Sequence, residues 1–284
     1  MEFVRYDINK YSPRQMVALP LVLLLLAGVL LGYTTLTTGL PITPGIDFAG
    51  GTAVTVFTSD SREAIEATFA GYPLQSVGEG VGNGKYVQFG PMDDDQYRSF
   101  TTLVNEKYPD AKVDQIGETF GKTLQSQAFL ALLFSFIGVA VVIFIAYRNP
   151  VASCAVVLAA ASDIAITAGA MQVLGIPLSL GTTAALLMLI GYAADSNVLL
   201  TTRLLKRKGK LEEKLAGALR TGIIMTTTTL GAIIAMWAVA TAGQIQIISA
   251  IASVLIIGLL ADMMNTWMLN AGILKAHILR SGKK

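Results

Sequence analysis

The sequence predicts an all-α membrane bundle of six transmembrane helices, with a small extracytoplasmic α+β domain inserted after the first. Three observations carry this. The 284 residues are 53% hydrophobic and only 14% charged, against about 25% charge in soluble domains. Six apolar stretches approach or exceed the roughly 20 residues that a helix needs to cross hydrocarbon. One polar stretch, residues 36–123, interrupts them and holds 12 acidic and 6 basic residues.

The spans read as Met16–Tyr33, Leu124–Tyr147, Val151–Leu174, Leu178–Thr202, Thr221–Thr241 and Ile245–Leu274. The first sits where a signal peptide would, but its apolar core is long and no small-residue cleavage pattern follows. It is expected to stay as an anchor. Orientation comes from the basic residues. Arg5, Lys10 and Arg14 precede span one, Arg148 lies between spans two and three, and seven more lie between Arg203 and Arg220. With Lys275, Arg280, Lys283 and Lys284, 15 of the 21 basic residues share one side. The loops opposite, Gly175–Ser179 and Ala242–Ile245, hold none. Both termini are therefore expected in the cytoplasm of a cell-membrane protein. The chain divides into a tail and first helix (1–35), an outer domain (36–123), helices two to six (124–275) and a tail (276–284).

Within the outer domain, Thr52–Thr58 is rich in strand formers and Ser61 opens a short helix through Ala70. Leu74–Glu79 and Lys85–Phe89 read as strands around the glycine-rich turn Gly80–Gly84. Asp93–Lys107 reads as a helix whose acidic first turn suits the helix dipole, and Lys112–Glu118 as the last strand. The order β-α-β-β-α-β is that of the ferredoxin-like split motif.

Composition narrows the chemistry. Cys154 is the sole cysteine, so no intrachain disulfide can form, and His277 is the sole histidine. No histidine-based metal or catalytic site is expected, and no cofactor. The chain lacks a G-x-x-x-x-G-K-[ST] run, so it has no P-loop, and no nucleic-acid partner is expected. An intramembrane aspartyl protease would need Y-D and G-x-G-D contexts where this chain has Ala194-Asp195 and Ala261-Asp262. The chain reads as a non-enzyme.

The most informative residues are Asp163, Asp195 and Asp262, each inside a membrane span. A charge at bilayer depth costs several kcal/mol, so such residues mark an interior or a water-filled path. At 1.5 Å per residue they fall about 12–18 Å from the cytoplasmic ends of their spans. Asn197 and the run Thr226–Thr229 lie at similar depth, the threonines about 9–14 Å past Arg220, which opens span five. A carboxyl that has lost its hydration favours its neutral form, and hydroxyls, amides and water can pass a proton on. Asp195 is the leading carrier, with Asp163 and Arg220 in support and Asp262, Asn197, Thr227 and Thr228 as further candidates. Structural readings stay open. Asp163 or Asp262 can simply hydrogen-bond a neighbouring helix, the threonines can be packing glue, and Arg220 can mark the interface. The basic run from Arg203 to Lys214 suits topology and contact with membrane lipid.

The stretch Gly45-Ile46-Asp47-Phe48-Ala49-Gly50-Gly51-Thr52 resembles the G-[IL]-D-F-x-G-G-T signature of the SecF family, the smaller membrane subunit of the SecD–SecF export complex. Ser162-Asp163-Ile164-Ala165-Ile166-Thr167-Ala168-Gly169 is similar to the family's H-D-x-x-x-T-x-G run, with Ser in place of His. Ile190-Gly191-Tyr192 followed by an acid, Arg203, and Arg220-Thr221 before a threonine cluster match spans four and five. The resemblance implies SecD as partner, the Sec translocation channel as neighbour and exported unfolded polypeptides as cargo, with proton flow driving the outer domains. There are departures. The fourth-span acid of bacterial members often sits where this chain has Ser196, and the Asp195–Asn197–Arg203 spacing is more like that of SecD. Ile223 and Ile224 stand where a threonine is common. Asp262 lacks a bacterial counterpart, and the sixth-span run is more similar to archaeal members. Gly45, Asp47, Phe48, Gly50 and Gly51 are expected to hinge the outer domain onto the membrane core. There Asp47 serves as a turn residue or touches substrate. A non-conducting scaffold, or half of another proton-driven transporter, is the alternative function.

Overall fold

The computed structural model of the chain describes residues 10–79, 84–243 and 245–280. Arg5, Lys283, Lys284, residue 244 and most of the turn expected at Gly80–Gly84 lie outside them. Six helices are long and apolar enough to cross a membrane. The first, α1, covers Pro13–Thr38. It opens on a reciprocal cap in which the Ser12 hydroxyl takes the Gln15 N–H and the Gln15 side chain takes the Ser12 N–H. That exchange satisfies two donors that a helix start leaves orphaned.

A four-residue turn of helix, α2 (Ile46–Ala49), leads into the inserted domain. There β1 (Gly51–Phe57), α3 (Arg62–Thr68), β2 (Leu74–Glu79), β3 (Gly84–Phe89), α4 (Asp94–Lys107) and β4 (Lys112–Ile116) follow in order. The sheet runs β2-β3-β1-β4 with every pair antiparallel. This is the ferredoxin-like arrangement that the sequence predicts. Alternation in the strands decides the core: Val54, Val56, Val87 and Phe89 point to the helices and meet Ile65, Phe69, Phe100 and Val104. The Phe89 and Phe100 rings pack edge-on at 4.6 Å between centroids. Ser61 and Asp93 cap α3 and α4 through their side chains.

The remaining spans are α5 (Glu118–Tyr147), α6 (Pro150–Leu174), α7 (Leu180–Lys206) and α8 (Leu211–Ala242). The sixth joins α9 (Gln246–Met264), a π-helical segment (Asn265–Asn270) and α10 (Ala271–Arg280). The segments α6, α7 and α9 form the centre, where small residues such as Ala155, Ala159, Ala185 and Ala252 are fully or almost fully buried. Close approach of backbones replaces the hydrophobic drive that lipid does not supply. On α1, α5 and α8, side chains such as Leu25, Phe134 and Val239 face outward.

Two helices begin earlier than the apolar pattern suggests. The fifth starts at Glu118, not Leu124, because strand β4 stops at Ile116 and residues 118–123, mostly polar, open the helix against α2. The eighth starts at Leu211, not Thr221, and its polar opening buries Leu215, Ala218 and Leu219. Basic side chains fasten this opening. Arg203 donates to the Gly217 carbonyl at 2.6 Å and to the Thr221 hydroxyl at 2.9 Å. Lys214 donates to the carbonyls of Leu204 and Arg207, where a helix C-terminus leaves acceptors free.

Candidate functional site

A layer of polar side chains crosses the interior where α6, α7 and the sixth span meet. Asp163, Asn197, Thr201, Asp262, Asn265, Thr266 and Asn270 are all fully buried. Asp163 Oδ1 accepts from the Asn265 amide at 2.6 Å, and the Asn265 oxygen accepts from the Ser162 hydroxyl at 3.2 Å. The Asp262 carboxylate accepts from the hydroxyls of Ser196 at 2.8 Å and Thr266 at 3.0 Å. Deeper in sequence, the Asn270 amide donates to Asn197 at 2.7 Å and to Thr201 at 3.4 Å. Two acceptors, Asp163 Oδ2 and Asn270 Oδ1, have no partner among the described residues.

The π-helical segment explains how the sixth span serves this layer. Asn265 and Asn270 are five residues apart, which on an α-helix would place them about 140° from one another. Five residues is the hydrogen-bond period of a π-helix, a form that clusters at functional sites. The neighbouring Trp267 closes the layer against α8, where a side-chain carbon on Gly222 would collide with its indole ring.

All donors to the two carboxylates are neutral amides and hydroxyls. The ion pairs among the described residues, Arg62–Glu66 and Lys122–Glu118, are solvent-exposed and far from the layer in sequence. Nor do three His, Cys, Asp or Glu side chains converge among the described residues to form a metal donor set. The layer is a buried array of oxygen acceptors paired with hydroxyl and amide donors.

Of the residues singled out in the sequence, Asp163, Asp262 and Asn197 come together here. Asp195 does not enter the layer. It is exposed on the outer surface of α7, on a stripe with Ala184, Met188, Gly191 and Val198, while the adjacent Ser196 points inward to Asp262. Arg220, Thr227 and Thr228 are exposed on α8. The two threonine hydroxyls donate to carbonyls of their own helix, from Ile223, Ile224 and Met225. Sequence reading missed Ser196, Thr201, Thr266, Asn265 and Asn270 as members. Two asparagines five apart in an apolar span were the available signal.

The glycine-rich segment forms a second constellation. The Asp47 carboxylate accepts the Leu180 N–H, at the first turn of α7, at 2.9 Å. Thr43, Pro44 and Gly45 run beside Leu178, exchanging backbone hydrogen bonds of 2.8 and 2.9 Å, and Gln172 at the end of α6 accepts from the Thr43 N–H. Gly50 (φ +73°) lies so close to α5 that a side-chain carbon would stand 2.6 Å from the Glu118 Cα. Gly121 fits equally closely against the backbone of Phe48 and Gly50. Phe48 itself is buried. The segment thus touches three spans before the sheet begins.

Comparison with known proteins agrees with this architecture. A family model described as protein export membrane protein SecD/SecF, C-terminal, matches residues 96–280. The chain is 59% identical over 278 residues to the protein-export membrane protein SecF of Methanolacinia petrolearia, covering 98% of each. It is 41% identical to SecF of Pyrococcus furiosus, covering 96% of this chain and 94% of that one. Its fold matches the crystal structure of SecDF, a translocon-associated membrane protein from Thermus thermophilus, with a TM-score of 0.76 at 23% identity. That match covers 94% of this chain and 38% of the longer SecDF chain. The chain belongs to the SecF family of protein-export membrane proteins.

Proposed function

We propose that this SecF-family chain pairs with SecD and couples proton entry to the movement of exported polypeptide at the Sec translocation channel. The observation that carries the proposal is the placement of Asp195. An acid at bilayer depth on an uncovered helix face is costly against lipid, and directly behind it Ser196 bonds the buried Asp262. A SecD half packed on the α7 stripe would cover Asp195 and join it to the interior layer. Asp195 is then the proton's entry point, and Asp262 and Asp163 are inner acceptors. Asn197 and Asn270 hold the helices in register. Arg220, Thr227 and Thr228, exposed on the neighbouring helix, would complete the same interface.

In this reading residues 36–123 form the outer domain and both termini are cytoplasmic. The basic loop around Lys206–Lys210, at the end of the bundle away from the sheet, supports that orientation. Gly45, Asp47, Phe48, Gly50 and Gly51 form the joint by which the outer domain follows α7 and α5. Because Asp47 holds the first turn of the helix that carries Asp195, displacement of that helix is passed on to the sheet.

The test is export of a secreted reporter in cells carrying Asp195→Asn, with SecD co-purification measured alongside. Lost export with SecD still bound supports the coupling role. Normal export would remove Asp195 from the path, and loss of SecD binding would make the residue part of a scaffold. The satisfied Asp262 carboxylate is the feature that favours the scaffold reading, and Asp262→Asn measured in the same way separates the two for that residue.

A further inference from the structure

The end of the bundle away from the sheet carries a groove that the reading above does not use. It lies between α1, the first turn of α6 and α10, and encloses about 530 Å3. Leu21, Val151 and Ile273 line its apolar floor, and Arg14, His277 and Arg280 line its mouth. No acidic residue contributes to it.

Local packing creates the groove. Gly272 lets α10 cross α1 closely, since a side-chain carbon there would stand 2.7 Å from Val17 Cγ2. Beside that crossing the small Ala18 and Ala276 leave space. Lys275, also nearby, is committed to the Tyr11 carbonyl at 2.9 Å. Arg14, His277 and Arg280 take part in no ion pair among the described residues.

Geometry and charge together specify an amphiphile. Leu21 lies about 10 Å further along α1 than Arg14, so the groove descends from a cationic rim into the apolar span. A small soluble anion would use the rim and leave the floor in contact with water. A zwitterionic headgroup would bring its own cation against the arginines. Basic recesses between membrane helices are suited to anionic headgroups, and the guanidinium fork matches phosphate oxygens in pairs. We propose that this groove binds one anionic phospholipid, its phosphate held by Arg14 and Arg280 and one hydrocarbon chain lying along Leu21, Val151 and Ile273.

The test is native mass spectrometry of the full chain in detergent, titrated with phosphatidylglycerol or phosphatidylcholine. One tight phosphatidylglycerol adduct is expected, with phosphatidylcholine binding more weakly. Each near-surface Arg contributes a factor of about five to anionic-lipid binding, so Arg14→Gln with Arg280→Gln should weaken the adduct about 25-fold. Lys208→Gln with Lys210→Gln removes the same charge elsewhere and should leave it intact. Ala18→Phe, which fills the floor without changing charge, should abolish the adduct in protein whose unfolding midpoint is unchanged. Equal binding of the two lipids, or equal loss in both double variants, would overturn the proposal. So would tight binding that appears only when residues 1–9 are removed, because the groove would then belong to the chain's own N-terminus. Full retention in Ala18→Phe would overturn it as well.

Discussion

Asp47 and Leu180, 133 residues apart, are joined by one hydrogen bond in which the Asp47 carboxylate takes the Leu180 N–H at 2.9 Å. The bond ties the segment that launches the inserted sheet to the first turn of α7. Ser179 caps the same turn through Thr182, so the helix start is held from inside and from outside the span. Asp47 is a cap in trans, supplied by a distant part of the chain.

Removing that cap should loosen the joint locally. Asp47→Ala leaves the Leu180 N–H without a protein acceptor and should cost about 1 kcal/mol, as for other helix caps. Asp47→Asn keeps a side-chain oxygen and should behave close to wild type. Hydrogen exchange of a peptide spanning residues 178–184 in the purified full chain reads this directly. Faster exchange in the alanine variant and near-normal exchange in the asparagine variant are expected. Equal exchange in all three proteins would show that the bond does not hold the helix start.

The buried carboxylate of Asp163 supports a sharper test. Its hydrogen bond comes from Asn265 alone among the described residues, and its other oxygen is unpartnered. Asn265→Leu would strand a buried polar group and should destabilise the bundle by about 3 kcal/mol. Replacing both residues by leucine removes the stranded group together with its donor. The double variant should therefore be more stable than Asn265→Leu. A double-mutant cycle of unfolding free energies in detergent measures the coupling. Additive single effects would mean that the two side chains are not partners.

The fold was far more legible in the sequence than the site was. Spans announce themselves by composition, and the split β-α-β-β-α-β order follows from strand formers, Ser61, Asp93 and a glycine-rich turn. Depth could also be read, because residues on a helix rise at a fixed rate. The direction a side chain faces could not. Asp195 and Ser196 are neighbours at one depth, yet one faces out and the other bonds Asp262. The π-helical segment carries Asn265 and Asn270 to partners on two different spans, Asp163 on α6 and Asn197 on α7, pairings that the sequence alone does not display. Gly50 and Gly121 illustrate the same limit, since only the folded chain shows two glycines 71 positions apart making room for one another.

The inserted domain carries its own pH response. The Tyr108 hydroxyl donates to Asp60 at 2.9 Å. Burial pushes the Tyr108 phenol above the usual tyrosine range, and the hydrogen bond and charge of Asp60 push the same way. The unfolded chain, with a tyrosine pKa near 10, therefore loses this proton at lower pH than the folded domain. The stabilisation is full below about pH 10 and fades as pH rises through the folded value. Circular-dichroism unfolding midpoints of the full chain at pH 8.5 and pH 11 should fall further for wild type than for Tyr108→Phe. The remaining tyrosines and lysines titrate in both proteins and cancel in the comparison. Identical falls would mean that the phenol titrates alike in folded and unfolded chains.

Thr52 gives the last prediction. It closes the glycine-rich segment, is fully buried, and its hydroxyl has no hydrogen-bond partner among the described residues. An unpartnered buried hydroxyl is a net cost, and Val reproduces the shape of Thr without it. On packing alone, Thr52→Val should raise the stability of the domain by about 1 kcal/mol. Export in cells then distinguishes two uses of the residue. If the variant is more stable and exports normally, the threonine serves only to pack β1 between β3 and β4. If it is more stable and exports poorly, the hydroxyl finds its partner in another position of the inserted domain relative to α5 and α7. A loss of stability would contradict the premise, because it would require a hydrogen bond that the folded chain does not make.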